Sequence, residues 1–233
     1  MRIFVAGATG AIGRQLIPML VGDGHSVTGT TRSEERATWL RGAGAEAAVV
    51  DVFDALELRR AVMAARAEVV IHQLTDLAAG FQTEQLRANA RLRQVGTRNL
   101  MDAAVAAGAR RMVAQSGAWL YASGPEPHVE TDPLRDLVES DPVLPGVLEL
   151  ERIVTTTPRV EGVVLRYGFL YGPGTDDETR GSEPAVHVTD AARAAALAVS
   201  RGPAGIYNVV DDGPLVSNRR ARELLGWKPQ AAG

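Results

Sequence analysis

Residues 2–13 read RIFVAGATGAIG, a short apolar run that leads directly into three glycines spaced three residues apart. The apolar run predicts a buried β-strand over Arg2–Ala6, and the glycines open a predicted helix over Ala11–Asp23. Small residues at such a junction permit a tight turn, a close approach of a ligand to the backbone and close helix–strand packing. Because the N-terminus of a helix presents unbonded amides and a positive dipole, the junction predicts a phosphate site.

The rest of the chain repeats this alternation of strand and helix. Further strands are predicted at His25–Thr31, Glu46–Val50, Glu68–His72, Arg110–Gln115, Val160–Arg166 and Gly205–Val210. Further helices are predicted at Ser33–Gly42, Asp54–Ala65, Thr83–Ala107, Gly146–Thr156, Thr189–Ser200 and Asn218–Leu225. Long loops are expected over Ser123–Pro145 and Gly172–Pro184. The alternation predicts an α/β fold, a doubly wound parallel sheet of the Rossmann type with a small C-terminal substrate-binding lobe.

The composition of the chain excludes several classes of protein and of binding partner. The chain has 233 residues, is 45% apolar and carries a net charge of −3, which argues against nucleic acid or an anionic membrane as partner. It has no cysteine, which excludes disulfides and thiolate metal sites, and no metal site is predicted. No apolar run approaches the roughly 20 residues of a membrane span, and no signal-peptide pattern is evident. We therefore expect a cytoplasmic protein that acts on a small molecule.

The glycine junction, followed by further strand–helix units, predicts a bound dinucleotide; the alternative is a glycine-rich turn without a ligand. The residues expected to hold its diphosphate are Gly7, Thr9, Gly10, Ala11, Ile12 and Gly13. The second strand ends in Thr30-Thr31-Arg32-Ser33, with no acid before Glu34. An acid there would bind the ribose hydroxyl of NAD, whereas Arg32, helped by Arg36, accommodates the 2′-phosphate of NADP. The sequence thus favours NADP(H); the alternative is that Arg32 is one surface arginine among many.

Two residues after the third predicted strand are candidates for the adenine end. Asp51 is placed to accept a hydrogen bond from the adenine amino group, with Val52 beside the ring. The alternative for Asp51 is an ordinary turn aspartate ahead of a helix.

With these residues placed, the chain resembles the extended short-chain dehydrogenase/reductases, the NAD(P)-dependent epimerase/dehydratase family. The matching segments are the glycine motif, Arg87-Ala88-Asn89, Gly96-Thr97-Arg98-Asn99-Leu100, Ser116 with Tyr121, Leu165-Arg166-Tyr167-Gly168, Tyr171-Gly172-Pro173-Gly174 and His187-Val188-Thr189-Asp190-Ala191-Ala192. The resemblance implies that Leu74, Tyr167 and Gly168 also contact the cofactor. It implies an NADP-binding domain over residues 1–166, with residues 167–233 adding the substrate lobe and the last sheet elements within one compact unit.

The family's catalytic groups are a serine or threonine and a Tyr-x-x-x-Lys pair, and this pair is missing. None of the four tyrosines has a lysine four residues later, and the one lysine of the chain is Lys228. Alignment through Glu151 places Val143 and Val147 where the family has Tyr and Lys. The family's serine falls near Gly117, so that Ser116, one place early, is the candidate catalytic residue.

Three further side chains are candidates for contact with substrate. Trp119 and Tyr121 follow the fifth strand and could form an aromatic wall, the alternative being a packed core. His187 opens a helix after the second loop, as a proton donor or as a structural contact. His72, at the end of the fourth strand, is predicted to be a satisfied core histidine.

Three functions remain after this comparison. The first is an NADPH-dependent ketoreductase acting on an aromatic polyketide, whose ketone is activated by its own adjacent phenol, as in atypical angucyclinone-type relatives. The second is a non-catalytic NADP sensor or regulatory protein, since loss of the triad is equally typical of that class. The third is a sugar-nucleotide epimerase or dehydratase, which the missing Tyr-Lys pair disfavours.

Overall fold

The strand–glycine–helix junction folds as predicted into β1 (Arg2–Ala6) and α1 (Ala11–Gly22). The computed structural model describes residues 1–75, 82–136, 138 and 141–230. The next elements are β2 (Ser26–Thr31), α2 (Glu34–Gly42), β3 (Glu46–Val49), α3 (Ala55–Ala64), β4 (Val69–His72), α4 (Thr83–Arg91), α5 (Thr97–Ala107) and β5 (Arg111–Gly117). The last are α6 (Leu144–Thr156), β6 (Glu161–Tyr167), β7 (Phe169–Tyr171), β8 (Ala185–His187), α7 (Val188–Ala198) and β9 (Gly205–Val209).

Seven strands form one sheet in the order β3-β2-β1-β4-β5-β6-β9. All neighbouring pairs are parallel. Strand order reverses between β1 and β4, and a crevice opens at the carboxyl ends of the strands at such a reversal. The predicted fold class is confirmed, and the fold places the glycine junction beside this crevice.

The sheet is buried on both faces, which explains its apolar strands. In β1, Ile3 and Val5 pack into the layer that holds α1 and α7, whereas Phe4 and Ala6 pack into the layer that holds α3, α5 and α6. Trp227, near the end of the described chain, is fully buried in the first layer, and its Nε1–H donates to the carbonyl oxygen of Asp190 at 2.9 Å.

The helix predicted over Thr83–Ala107 is a continuous helical stretch, but its middle is a π-turn (Leu92–Gly96) between α4 and α5. A second π-turn (Ala221–Leu225) forms most of the last predicted helix. Wider turns of this kind redirect side chains and are frequent at functional sites.

The parallel pair β7–β8 was not predicted, because three-residue strands carry too few positions for an alternation to be recognised. β7 directly precedes the predicted loop Gly172–Pro184 and β8 directly follows it, so this loop connects the two strands. The described residues of Ser123–Val143 form only two isolated bridges, Tyr121 with Leu134 and His128 with Val216. In the part of the chain that the structure describes, no helix has the length and apolar character to cross a membrane.

Candidate functional site

The junction between β1 and α1 is a cradle made of backbone. Gly7 has a φ of +87°, and a Cβ there would lie 2.5 Å from the carbonyl oxygen of Gln73. A Cβ at Gly13 would lie 2.3 Å from the carbonyl oxygen of Gly7, so only glycine lets α1 pack this closely on the turn. The nearest atom to a Cβ at Gly10 would be 3.5 Å away, an ordinary contact. The protein itself does not require glycine at Gly10, and the space beside it, at a helix N-terminus, fits a phosphate.

A groove extends from this cradle along the carboxyl ends of the strands. The predicted residues Gly7, Thr9, Gly10, Ala11, Ile12, Arg32, Arg36, Asp51, Val52 and Leu74 all line it. Residues that the sequence did not single out also line it: Ala6, Thr30, Thr31, Val50, Phe53, Leu58, Gln73, Thr75, Leu92, Gln115 and Leu170. We call the part around Gly7–Ile12 the glycine end, and the part lined by Gln73, Leu74, Gln115 and Leu170 the β5 end.

Two arginines form the wall of the groove next to β2. Arg32 directly follows β2, Arg36 lies in the first turn of α2, and both side chains are exposed. The Ser33 hydroxyl oxygen accepts the backbone N–H of Arg36 at 3.4 Å, which caps α2 and fixes the spacing of the two arginines. Two guanidinium groups on one wall suit a phosphate group.

Asp51 and Val52 lie together at the far wall, beyond β3. The Asp51 carboxylate accepts the backbone N–H of Phe53 at 2.9 Å, so it has the turn role given above as the alternative and also lines the groove. The carbonyl oxygen of Val52 accepts a hydrogen bond from the Asn99 side chain at 2.9 Å, which ties this wall to α5.

His72 does not line the groove but supports the β5 end through a hydrogen bond to the groove residue Leu74. Its Nδ1 accepts the backbone N–H of Leu74 at 3.2 Å, and its Nε2 lies 3.0 Å from the Thr97 hydroxyl. Burial, with a smaller contribution from the nearby charge of Arg93, lowers the pKa of His72 to about 3. The ring is therefore neutral, and the prediction of a satisfied core histidine is confirmed.

All four tyrosine hydroxyls are hydrogen-bonded within the protein. Tyr121 donates to the Asn208 side chain at 2.7 Å, Tyr167 to the carbonyl oxygen of Ala191 at 3.2 Å, Tyr171 to the Asp211 carboxylate at 2.9 Å and Tyr207 to the carbonyl oxygen of Pro203 at 2.6 Å. Burial raises the pKa of Tyr171 to about 12, and the Asp211 carboxylate adds to this rise. Burial also raises the pKa values of Tyr121 and Tyr207. None of these hydroxyls is poised to ionise and act on a substrate.

Ser116 belongs to a buried network of charges beneath the β5 end. Its hydroxyl donates to Glu151 at 2.6 Å, and Arg166 holds both oxygens of the same carboxylate at 2.9 and 2.7 Å. Arg166 also donates to the Tyr121 hydroxyl at 2.9 Å. Burial opposes the charge of Arg166, but the bonds to Glu151 outweigh it and raise the arginine pKa. The Ser116 proton is thus committed to Glu151, and its catalytic role stays a prediction that this placement does not favour.

The positions aligned with the family's Tyr and Lys belong to an apolar cluster. Val147 is fully buried with Leu120 and Leu144, and Val143 packs against them. Trp119 packs on this cluster and stacks on Phe169 with ring centroids 5.7 Å apart. Phe169 is 40% exposed, so this pair presents an aromatic surface next to Leu170 of the β5 end.

Tyr121 and His187 are both held by the protein. The Tyr121 ring stacks on His128 at 5.0 Å, and its hydroxyl is fixed by the bonds described above, so it fits the packed alternative. Nδ1 of His187 accepts the backbone N–H of Thr189 at 3.3 Å and caps α7, which is the structural alternative. The Tyr171 ring lies edge-on to the imidazole at 5.1 Å.

Three predicted cofactor residues, Gly13, Tyr167 and Gly168, do not line the groove. Gly13 packs α1 on the turn, as described. Tyr167 is buried and contacts the groove residue Gln73, whose side-chain amide donates to the tyrosine hydroxyl at 3.3 Å. A Cβ at Gly168 would lie 2.6 Å from the backbone of Ala185, so this glycine is needed for packing against β8. Direct cofactor contact by these residues stays a prediction.

Several residues at the β5 end were not predicted as site residues. Glu151 and Phe169 acquire their positions from tertiary packing of α6 and β7, and no short motif marks either residue. Arg93 is buried in the π-turn. Among the described residues, no group of three His, Asp or Glu side chains is arranged to hold a metal ion.

Comparison with known proteins agrees with the fold and the groove described above. The NAD dependent epimerase/dehydratase family model matches residues 3–186, and the chain belongs to that family. Its fold matches the UDP-glucose 4-epimerase of Thermotoga maritima with a TM-score of 0.84 at 17% identity, over 100% of this chain and 94% of that one. It also matches the UDP-glucose 4-epimerase of Thermus thermophilus, solved with NAD, with a TM-score of 0.77 at 25% identity, over 99% and 85% of the two chains. A nicotinamide dinucleotide is therefore the cofactor that this groove fits.

Two curated relatives are reductases by name. The chain is 40% identical to a 3-diazoavenalumate denitrifying reductase of a Streptomyces species, over 92% of this chain and 77% of the relative. It is 28% identical to a 4-hydroxy-2-methyl-3-oxo-4-farnesyl-3,4-dihydroquinoline-1-oxide ketoreductase of Stigmatella aurantiaca, over 97% of this chain and 72% of the relative. These names support an oxidoreductase of secondary metabolism.

Proposed function

We propose that this protein is an NADPH-dependent reductase of a small aromatic secondary metabolite, with a ketone of an aromatic polyketide as the hydride acceptor. The backbone cradle, the two arginines of the groove and the reductase relatives support this proposal. The glycine end holds the diphosphate, and Arg32 with Arg36 holds the 2′-phosphate. When bound, the reduced nicotinamide supplies the hydride.

The observation that carries the proposal is that every tyrosine hydroxyl is engaged within the protein. A positioned acid adds about 10² to 10⁴ to the rate of such a reaction. Without one, the proton that completes ketone reduction comes from solvent water or from the acceptor itself. A ketone hydrogen-bonded to its own neighbouring phenol supplies this proton itself, and the Trp119–Phe169 pair offers its flat ring a stacking surface.

A second acceptor is favoured by the relative at 40% identity, whose name specifies removal of nitrogen from a diazo compound. In the reductive loss of an aryl diazonium group, the C–N bond breaks, dinitrogen leaves and the hydride forms the new C–H bond. This reaction balances without any proton, so it also suits a site that lacks an acid. The apolar cluster around Val147 would keep water away from such a reactive group.

Oxidation of NADPH, followed by absorbance, distinguishes these acceptors. We expect turnover with a panel of hydroxylated aromatic ketones, and turnover of aryl diazonium salts with release of nitrogen if the second acceptor is correct. Tight NADPH binding without turnover of either panel would favour a sensor protein. Turnover of UDP-glucose would instead support an epimerase.

Cofactor choice is tested by Arg32→Asp. The new carboxylate would face the 2′-phosphate, so we expect NADPH binding to weaken roughly 100-fold, whereas NADH binding should hold or tighten, because the carboxylate can accept a hydrogen bond from the ribose hydroxyl. Isothermal titration of both nucleotides measures this, with Arg41→Asp, which changes an exposed arginine of α2 that does not line the groove, as the matched control. Tighter binding of NADH than of NADPH to the wild-type protein would contradict the assignment.

A further inference from the structure

Arg93 is a buried cation at the edge of the site. It lies in the π-turn between α4 and α5, and only 4% of its surface is exposed. Its Nε and Nη1 atoms are buried without a hydrogen-bond partner in the described part of the chain. A buried guanidinium with unused donors is costly, since both its charge and its N–H groups have lost water.

The neighbouring charges do not compensate Arg93. The charge of Glu151 acts on Arg93, but both oxygens of that carboxylate already accept hydrogen bonds, one from Ser116 and Arg166 and the other from Arg166. His72, the other group on which the charge of Arg93 acts, is neutral and uses both ring nitrogens in hydrogen bonds. Among the residues that the structure describes, two guanidinium groups therefore share the Glu151 carboxylate, which leaves one positive charge in excess there. Consistent with this, burial lowers the pKa of Arg93 to about 10, against the opposing influence of Glu151.

This excess charge lies behind the β5 end. Leu92, the residue before Arg93, lines the groove. His72 fixes the groove residue Leu74, and Ser116, which binds Glu151, directly follows the groove residue Gln115. His72, on which the charge of Arg93 acts, thus supports the β5 end through Leu74.

We propose that Arg93 is a specificity-determining residue that selects substrates carrying a carboxylate. An excess buried cation attracts an anion strongly because little water screens it, and a guanidinium fork matches the two oxygens of a carboxylate. The proposal rests on the proposed function and deepens it, since it names the charged group of the aromatic substrate. An aromatic acid would place its ring on the Trp119–Phe169 pair and its charge toward the π-turn.

The test uses the intact protein saturated with NADP⁺, titrated with 4-hydroxycinnamate and with its uncharged methyl ester. In the wild-type protein we expect the acid to bind about 10- to 100-fold more tightly than the ester, the usual strength of a hydrogen bond to a charged group. Arg93→Met should remove this preference, whereas Arg93→Lys, which keeps the charge, should retain part of it. Arg87→Met, which removes an exposed arginine of α4, should leave the preference unchanged.

A thermal melt distinguishes a role of Arg93 in substrate selection from a role in stabilising the fold. Because Arg93 is not compensated, we expect Arg93→Met to melt no lower than the wild-type protein. The proposal is overturned if the wild-type protein binds acid and ester equally or binds neither. It is also overturned if Arg93→Met keeps the preference or if both Arg93 variants fail to fold. Failure to bind NADP⁺ in the first step would overturn the proposed function itself.

Discussion

The two ends of the groove differ in the atoms that form and support them. At the glycine end, backbone atoms form the surface, and contacts at Gly7 and Gly13 leave no room for a side chain. At the β5 end, the surface rests on buried side-chain charges: Glu151 is held by Ser116 and Arg166, and Arg93 lacks a compensating partner among the described residues. A backbone cradle serves any dinucleotide, whereas a layer of side chains can change with each substrate. The comparison predicts that changes at the glycine end abolish cofactor binding and that changes below the β5 end alter stability or selectivity.

Gly13→Ala should have the largest effect. The new Cβ would lie 2.3 Å from the carbonyl oxygen of Gly7, and backbone cannot move aside as a flexible side chain can. We expect a loss of roughly 4 kcal/mol of unfolding free energy together with NADPH binding, measured by urea denaturation and calorimetry. Gly22→Ala, at the exposed end of the same helix with nothing near the new Cβ, should be neutral or stabilising by up to about 1 kcal/mol. Equal effects of the two variants would contradict the backbone account of this end.

Glu151→Gln examines the opposite end. Loss of the carboxylate charge leaves Arg166 buried without its anion, so we expect a loss of about 3 kcal/mol of unfolding free energy. Affinity for NADPH should be preserved in the folded variant, since Glu151 does not line the groove. Calorimetry with NADPH and urea denaturation measure the two quantities independently. A variant that keeps its stability but no longer binds NADPH would contradict the claim that only the glycine end governs cofactor binding.

His72 makes the stability of the β5 end depend on pH. Its folded pKa of about 3 lies below the ordinary histidine value of 6.5. Between these values the unfolded chain binds a proton that the native chain does not, so stability falls as pH falls from 6.5 toward 3. At pH 5 the loss is about 2 kcal/mol. Between pH 7 and pH 5, the unfolding free energy of His72→Gln should fall by about 2 kcal/mol less than that of the wild-type protein in urea denaturation. The same pH dependence in both proteins would refute the assignment.

Ser116→Ala has the smallest expected effect. One hydrogen bond to Glu151 is lost while Arg166 still holds the carboxylate, at a cost of about 1 kcal/mol. Because the serine proton is committed to Glu151, kcat for NADPH oxidation should change less than about twofold. A drop of a hundredfold or more, without loss of folding, would restore Ser116 as the proton donor.

The contrast between the two ends also explains what the sequence could predict. The glycine end depends on local geometry, and local geometry leaves a pattern, so Gly7, Gly10 and the arginines after β2 were found by spacing and strand order. The β5 end depends on which side chains three distant elements bring together. Glu151, Arg166 and Ser116 lie on α6, β6 and β5. Their spacing along the chain does not indicate that their side chains are in contact.

The same reasoning applies to the short elements. β7 was missed because three residues carry no readable alternation, and Phe169 was missed with it. The absence of the Tyr-Lys pair, in contrast, was certain from the sequence, because a single lysine near the C-terminus cannot follow any tyrosine by four residues.

The stacking of Trp119 on Phe169 has a spectroscopic consequence. Trp119 is partly exposed beside the β5 end, whereas Trp227 is fully buried in the core layer next to α7. An aromatic ligand that covers the stacked pair would quench the emission of Trp119 and leave that of Trp227 unchanged. Because the chain also contains Trp39, the emission that Trp119→Phe removes reports ligand occupancy, and the emission that Trp39 and Trp227 keep in this variant reports global unfolding, without any attached dye.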